Sequence, residues 1–139
     1  MCVFARPTDL TVLKEGSFVV ADGYRNHRIA KFNRDGKLEW QVNKLGKHLG
    51  EFNLPHGISS DDEENIYVAD RNNARIQVFD HQGKPIANWN HKDIGRPFGK
   101  MIAQLLPFEI KQLVRKKLEL RKIYLSMVNG QTKSNQSII

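Results

Sequence analysis

Val20-Ala21-Asp22, then Asn26-His27-Arg28-Ile29-Ala30-Lys31-Phe32, then Asp35-Gly36-Lys37 and Trp40 form one stretch of this chain. Val68-Ala69-Asp70, then Asn73-Ala74-Arg75-Ile76-Gln77-Val78-Phe79, then Gln82-Gly83-Lys84 and Trp89 form another. The second stretch says the first again. Pro7 and Pro55 lie 48 residues apart, as do Asp22 and Asp70; Arg28 and Arg75 lie 47 apart, as do Gly36 and Gly83. Self-similarity at a period in the forties is the signature of a repeat architecture in which each unit is one supersecondary element.

Working outward, each unit reads as four short strands. In the first they are Leu10–Leu13, Ser17–Ala21, Arg28–Phe32 and Lys37–Val42, with turns at Gly16 and at Asp35-Gly36. The Asp-Gly pair predicts a two-residue hairpin turn, because that turn needs positive φ. Ile29, Lys31 and Phe32 break strict alternation, which leaves the facing of their strand open. The second unit runs in the same order through Ile58-Ser59, Ile66–Ala69, Arg75–Phe79 and Pro85–Trp89. Four strands per unit, matched residue for residue, predict propeller blades; a two-layer sandwich would not require the match. The expected fold is all-β: two blades, about residues 4–50 and 51–98 within a region 1–99, followed by a tail from 100 to 139.

Charge separates the two regions. Residues 1–99 carry 14 Lys/Arg against 13 Asp/Glu, whereas residues 100–139 carry 8 against 2, so the net charge of +7 comes mainly from the tail. A near-neutral blade region without an aromatic–basic stripe argues against a nucleic-acid face there. In the tail, Phe108, Ile110, Leu113, Val114, Leu118, Leu120, Ile123, Tyr124 and Met127 recur at helical spacing behind Pro107, with six Lys/Arg on the other side. That reads as a basic amphipathic helix with a polar end, either a solvated helix or one that meets an acidic membrane or partner groove. Cys2 is the only cysteine, which excludes an internal disulfide. No apolar run is long enough to span a bilayer, and the N-terminal residues lack the apolar h-region of a signal peptide.

Three residues stand out because the other repeat does not share them. Tyr24, His56 and Arg71 face Asn72, Thr8 and Gly23 at the equivalent positions. His56 opens the first strand of its unit, behind Pro55, which fixes φ; it reads either as a metal ligand at the channel rim or as a structural rim histidine. One histidine is not a zinc site, since zinc takes three or four ligands. Tyr24 and Arg71 follow the second strands, where a phenol suits proton transfer and a guanidinium suits a carboxylate. By contrast, Asp22 with Arg28 and Asp70 with Arg75 read as blade-stabilising pairs. The acidic run 61–64 reads as a solvated turn, since it lacks calcium-loop spacing.

Arg6-Pro7-Thr8-Asp9, Val19–Tyr24, Leu54-Pro55-His56-Gly57, Val68–Gln77 and Ile94-Gly95-Arg96 together resemble the lyase domain of the peptidylglycine alpha-amidating monooxygenase family, whose propeller is built of NHL repeats. The likeness covers about residues 4–98. It implies a six-bladed propeller and a zinc-dependent carbon–nitrogen lyase that cleaves a peptide ending in alpha-hydroxyglycine to a peptide amide and glyoxylate. It puts His56 on a zinc-ligand position, Tyr24 on the catalytic tyrosine, Arg71 on a catalytic arginine, and Ile58 on a position whose backbone carbonyl binds structural calcium. The other two zinc histidines, a second catalytic arginine and a calcium-binding aspartate fall in blades that this sequence does not contain, so closing the channel requires further blades or another chain. Two family disulfides would fall on Ala5 with Arg25 and on Tyr67 with Val78, where no cysteines stand. The family's setting is the secretory pathway or the extracellular space. The alternative reading is a non-catalytic NHL-repeat module that binds protein or RNA.

Overall fold

The computed structural model describes residues 3–90, and these form two four-stranded antiparallel sheets. The first holds β1 (Asp9–Val12), β2 (Phe18–Asp22), β3 (Arg28–Phe32) and β4 (Leu38–Asn43). The second holds β5 (Pro55–Ser60), β6 (Ile66–Asp70), β7 (Arg75–Phe79) and β8 (Pro85–Trp89). Each sheet is a plain meander in chain order, and the two sheets are the two four-stranded units that the repeat predicts. The expected extension to residue 98 and the helical tail lie outside the described residues.

The blades stack face to face. Leu13, Val19, Ala21 and Ile29 of blade 1 bury against Phe52, Ile58, Ile66, Val68 and Phe79 of blade 2, with Trp40 and Val42 packed alongside. Stacking removes apolar surface from water, the main favourable term in a fold of this kind. The repeat also shows that a blade's two faces differ. Phe4, Leu10, Phe18, Val20 and Phe32 are the blade 1 equivalents of the five blade 2 residues in that core, yet they lie on the opposite side of blade 1. Even the aromatic pair recurs: Phe52 and Phe79 have ring centroids 5.5 Å apart, and Phe4 and Phe32 5.6 Å. Leu10 is 56% exposed where Ile58 is 2%, and Phe4 is 38% exposed where Phe52 is fully buried.

The shared Asp and Arg residues act as a clasp. Asp22 accepts the Ala5 amide on both carboxylate oxygens, and Asp70 accepts the Asn53 and Leu54 amides. Each carboxylate is paired with its arginine, Arg28 at 2.8 Å and Arg75 at 2.9 Å. The arginines reach on to the incoming chain: Arg28 donates to Val3 O, and Arg75 to Lys47 O, His48 O and Glu51 O. Each blade thus grips the segment that enters it, and the framework reading of these four residues holds.

The hairpin turns differ from the two-residue form expected at Asp35-Gly36. Asn33 donates to Lys37 O while Gly36 donates back to Asn33 O, and Gly36 alone takes positive φ (81°). This is the longer loop of a type I turn closed by one left-handed residue. Upstream side chains select it: Asn33 Oδ1 accepts the Asp35 and Lys37 amides, and Asp80 Oδ1 accepts those of Gln82 and Lys84. The same device closes the acidic run, where Asp61 Oδ1 accepts the Glu63 and Asn65 amides and Glu64 takes φ 62°. Side chains that bond their own backbone favour turns for this reason. The strand of uncertain facing carries a bulge between Lys31 and Phe32, repeated between Val78 and Phe79.

Candidate functional site

Tyr24 comes from the loop after β2, Arg71 from the short 3₁₀ turn after β6, and His56 from the start of β5. In both blades the second strand ends where the first begins, because Asp9 pairs with Ala21 and Pro55 with Asp70. All three residues therefore gather at one end of the blade stack.

His56 is placed by a bulge. β5 pairs Pro55 with Asp70 and Gly57 with Ala69, so the register shifts at His56. Bulges of this kind bend a strand and redirect a side chain. The imidazole turns to blade 1, where Tyr24 Oη lies 3.1 Å from His56 Nε2. The two rings meet edge to face at 83°, with centroids 5.6 Å apart. Tyr24 is 52% exposed and His56 partly buried, so the pair is accessible to a ligand. Arg71 is anchored through its backbone, its amide donating 2.9 Å to Leu54 O, which ties it to the segment leading into His56. The structure thus joins Tyr24 and His56 directly and sets Arg71 at the same end.

Ile58 is buried in the interblade core, and its amide donates 3.2 Å to Asp9 Oδ2 of blade 1. In an antiparallel ladder a residue's N–H and C=O point the same way, so the Ile58 carbonyl also faces away from β6. Tyr67 and Val78, one of the two implied disulfide positions, are direct cross-strand partners.

Among the described residues no three His, Cys, Asp or Glu side chains converge as metal ligands. His56 offers one imidazole where zinc needs three or four ligands, and Ile58 one carbonyl where calcium takes six to eight oxygens. The described residues alone therefore do not fit a complete centre for either ion. The pair itself can hydrogen-bond a substrate and move a proton between phenol and imidazole.

Two features escaped the sequence reading. The His56 bulge is signalled in retrospect by the flanking Pro55 and Gly57. The other is Glu51, whose carboxylate organises the interblade linker. A hydrogen bond from Lys44, then one from the His48 amide and a weaker one from its ring, with the Lys44 charge, lower its pKa to about 2 against a smaller opposing effect of burial.

Comparison with known proteins identifies the repeats. The NHL repeat family matches residues 4–32 and 52–79. A Caenorhabditis elegans protein named as a probable peptidyl-alpha-hydroxyglycine alpha-amidating lyase is 46% identical over 79 residues, spanning 55% of this chain and 23% of its own. Human NHL repeat-containing protein 3 is 35% identical over 91 residues, 63% of this chain and 26% of its own. The chain thus spans about a quarter of the length of these relatives. Among solved structures, Kuenenia stuttgartiensis hydrazine synthase superposes with a TM-score of 0.51 at 15% identity, over 65% of this chain and 25% of its own; that likeness bears on the fold alone. Residues 4–32 and 52–79 are therefore two NHL repeats, in a chain whose curated relatives include proteins named as amidating lyases.

Proposed function

We propose that this chain carries part of the site of a peptidyl-alpha-hydroxyglycine amidating lyase, with Tyr24 and Arg71 as catalytic residues and His56, beside Tyr24, as a metal ligand. The observation that supports it is the 3.1 Å approach of two side chains from different blades, at the positions where the repeats diverge. In this reading Tyr24 takes the proton of the substrate hydroxyl. The carbon–oxygen double bond forms as the carbon–nitrogen bond breaks, and the departing nitrogen takes up a proton to leave the peptide amide and glyoxylate. Arg71 holds the substrate carboxylate, a bidentate task for which guanidinium is suited. Zinc and structural calcium belong to the same reading, His56 and the Ile58 carbonyl each supplying one ligand of a set completed outside residues 3–90. So do a peptide substrate, blades that close the channel, and a secretory-pathway or extracellular setting.

The test is a graft. Residues 3–90 replace the matching segment of the Caenorhabditis elegans relative, and glyoxylate release from an alpha-hydroxyglycine peptide is measured with zinc present. The chimera is expected to turn over, and Tyr24→Phe in it to lose about 10²–10⁴-fold, the usual share of a positioned acid–base group. A folded chimera without activity, or one indifferent to Tyr24→Phe, would sink the proposal. The ungrafted chain is expected to release no glyoxylate. A second reading, a non-catalytic NHL module with Tyr24 and His56 as a contact patch, draws on the human relative, whose name states no reaction.

A further inference from the structure

We infer that Thr8 and Gly23 are positioning residues for the Tyr24–His56 pair, acting through the peptide that precedes His56. The inference deepens the proposed reading, in which Tyr24 is catalytic and His56 a metal ligand beside it, but its geometry stands on its own. Tyr24 and His56 belong to different blades, so their separation is set by whatever fixes one blade's rim against the other. Their immediate chain neighbours do this. The Thr8 hydroxyl lies 2.7 Å from the Pro55 carbonyl oxygen and 3.1 Å from Ala21 O, so the shorter bond to Pro55 is the better one for its single hydrogen, and the Thr8 amide donates 2.8 Å to Ala21 O. Thr8 therefore spans from β2 of blade 1 to the residue before His56. Gly23, the residue before Tyr24, lies directly against the same carbonyl: a Cβ built there would overlap Pro55 O. From the blade 2 side, Leu54 O accepts the Arg71 amide, and Asp70 Oδ1 accepts the Asn53 and Leu54 amides.

The Pro55 carbonyl is thus caught between a hydroxyl that pulls it toward blade 1 and an α-carbon that sets how near it can come. Without the Thr8 hydroxyl the buried Pro55 carbonyl loses its link to blade 1, and with it a tie that sets the residue before His56 against that blade. The repeat sharpens the point. Thr8 is the blade 1 equivalent of His56, and Gly23 that of Arg71. Where blade 2 carries chemistry-bearing side chains, blade 1 carries the hydroxyl and the bare α-carbon that hold them in place.

The experiment is NMR on the full chain without substrate, following the ring-to-ring NOE between Tyr24 and His56. Thr8→Val keeps the shape and removes the hydroxyl; Thr8→Ser restores a hydroxyl. The parent and Thr8→Ser are expected to show the NOE. Thr8→Val is expected to lose it while the methyl shifts of Leu13, Val19 and Ile29 in the interblade core stay unchanged. Gly23→Ala is expected to lose the NOE as well; should it fail to fold, the threonine pair decides. Thr8→Val keeping a full-strength NOE would overturn the inference, as would loss of the NOE together with movement of the core methyl signals. An inactive graft whose NOE is intact counts against the lyase reading alone.

Discussion

Removing the Arg75 guanidinium tests whether the clasp holds the blades together. The side chains of Arg75 and Asp70 are 3% and 0% exposed, so neither end of this pair can be rescued by bulk water. Arg75→Ala deletes the ion pair and three hydrogen bonds to the linker carbonyls of Lys47, His48 and Glu51. Breaking a buried pair by deleting one partner costs about 3–5 kcal/mol, because the remaining charge is left uncompensated. Asp70 keeps the amides of Asn53 and Leu54 and the Asn73 side chain, which pulls the cost to the lower end. The stranded carbonyls pull the other way, although Glu51 O retains Gln77. With a urea slope of about 1–3 kcal/mol per molar for a small domain, the midpoint falls by about 1 M or more. Trp40 fluorescence is a suitable probe, since its indole donates 3.0 Å to His81 O across the blades. Arg75→Lys restores the charge but not the fork and is expected to fall between the parent and Arg75→Ala. A midpoint shift in Arg75→Ala corresponding to less than about 1 kcal/mol, the range of exposed pairs, would refute the clasp.

Other outcomes follow from the same geometry. Gly83 takes φ 81°, and a Cβ there would stand 2.8 Å from the Trp40 ring, so Gly83→Ala is expected to cost about 1–3 kcal/mol and shift the Trp emission. The interblade core and its repeat image should respond unequally: Ile58→Ala is expected to cost about 2–5 kcal/mol as a buried truncation, and Leu10→Ala within about 0.5 kcal/mol of zero as an exposed one, both read from urea midpoints. Glu51 supplies a pH signature. Its folded pKa, about 2, lies below its ordinary 4.5, so its stabilising contribution is fully present above pH 4.5 and is lost as the pH falls toward 2. The parent's urea midpoint should therefore drop more steeply than that of Glu51→Gln between pH 5 and pH 2.5; parallel slopes would contradict the assignment.

How much of this the chain discloses before folding depends on whether the cause is local. The strands of both blades were readable because the repeat supplies two copies of each pattern, and Arg75–Phe79 and Pro85–Trp89 fall where expected. The length of the Asp35-Gly36 turn is not legible in that pair, because the residue that chooses it, Asn33, sits upstream and acts by a side-chain bond. Tyr24, His56 and Arg71 could be singled out by their divergence between repeats, and their common end of the stack follows from strand order. The 3.1 Å contact was not legible, because it depends on the stacking of two sheets and on a bulge that only the β5–β6 register reveals. For the same reason the part played by Thr8 is not legible in its equivalence to His56, since it depends on the contact of its hydroxyl with Pro55 O.

The seam position of the Tyr24–His56 contact also bears on how such a pair can arise. Copying one blade copies its clasp, its turns and its core, since all of these lie within a repeat or between equivalent repeats. A contact between Tyr24 of one unit and His56 of the next is not contained in either unit. In this chain it rests on two positions at which the copies differ, with Asn72 and Thr8 at the equivalent places. The framework lies in what the two repeats share, whereas the pair lies in where they differ, and writing the residue types of Asn72 and Thr8 into positions 24 and 56 would keep the shared clasp while erasing the pair.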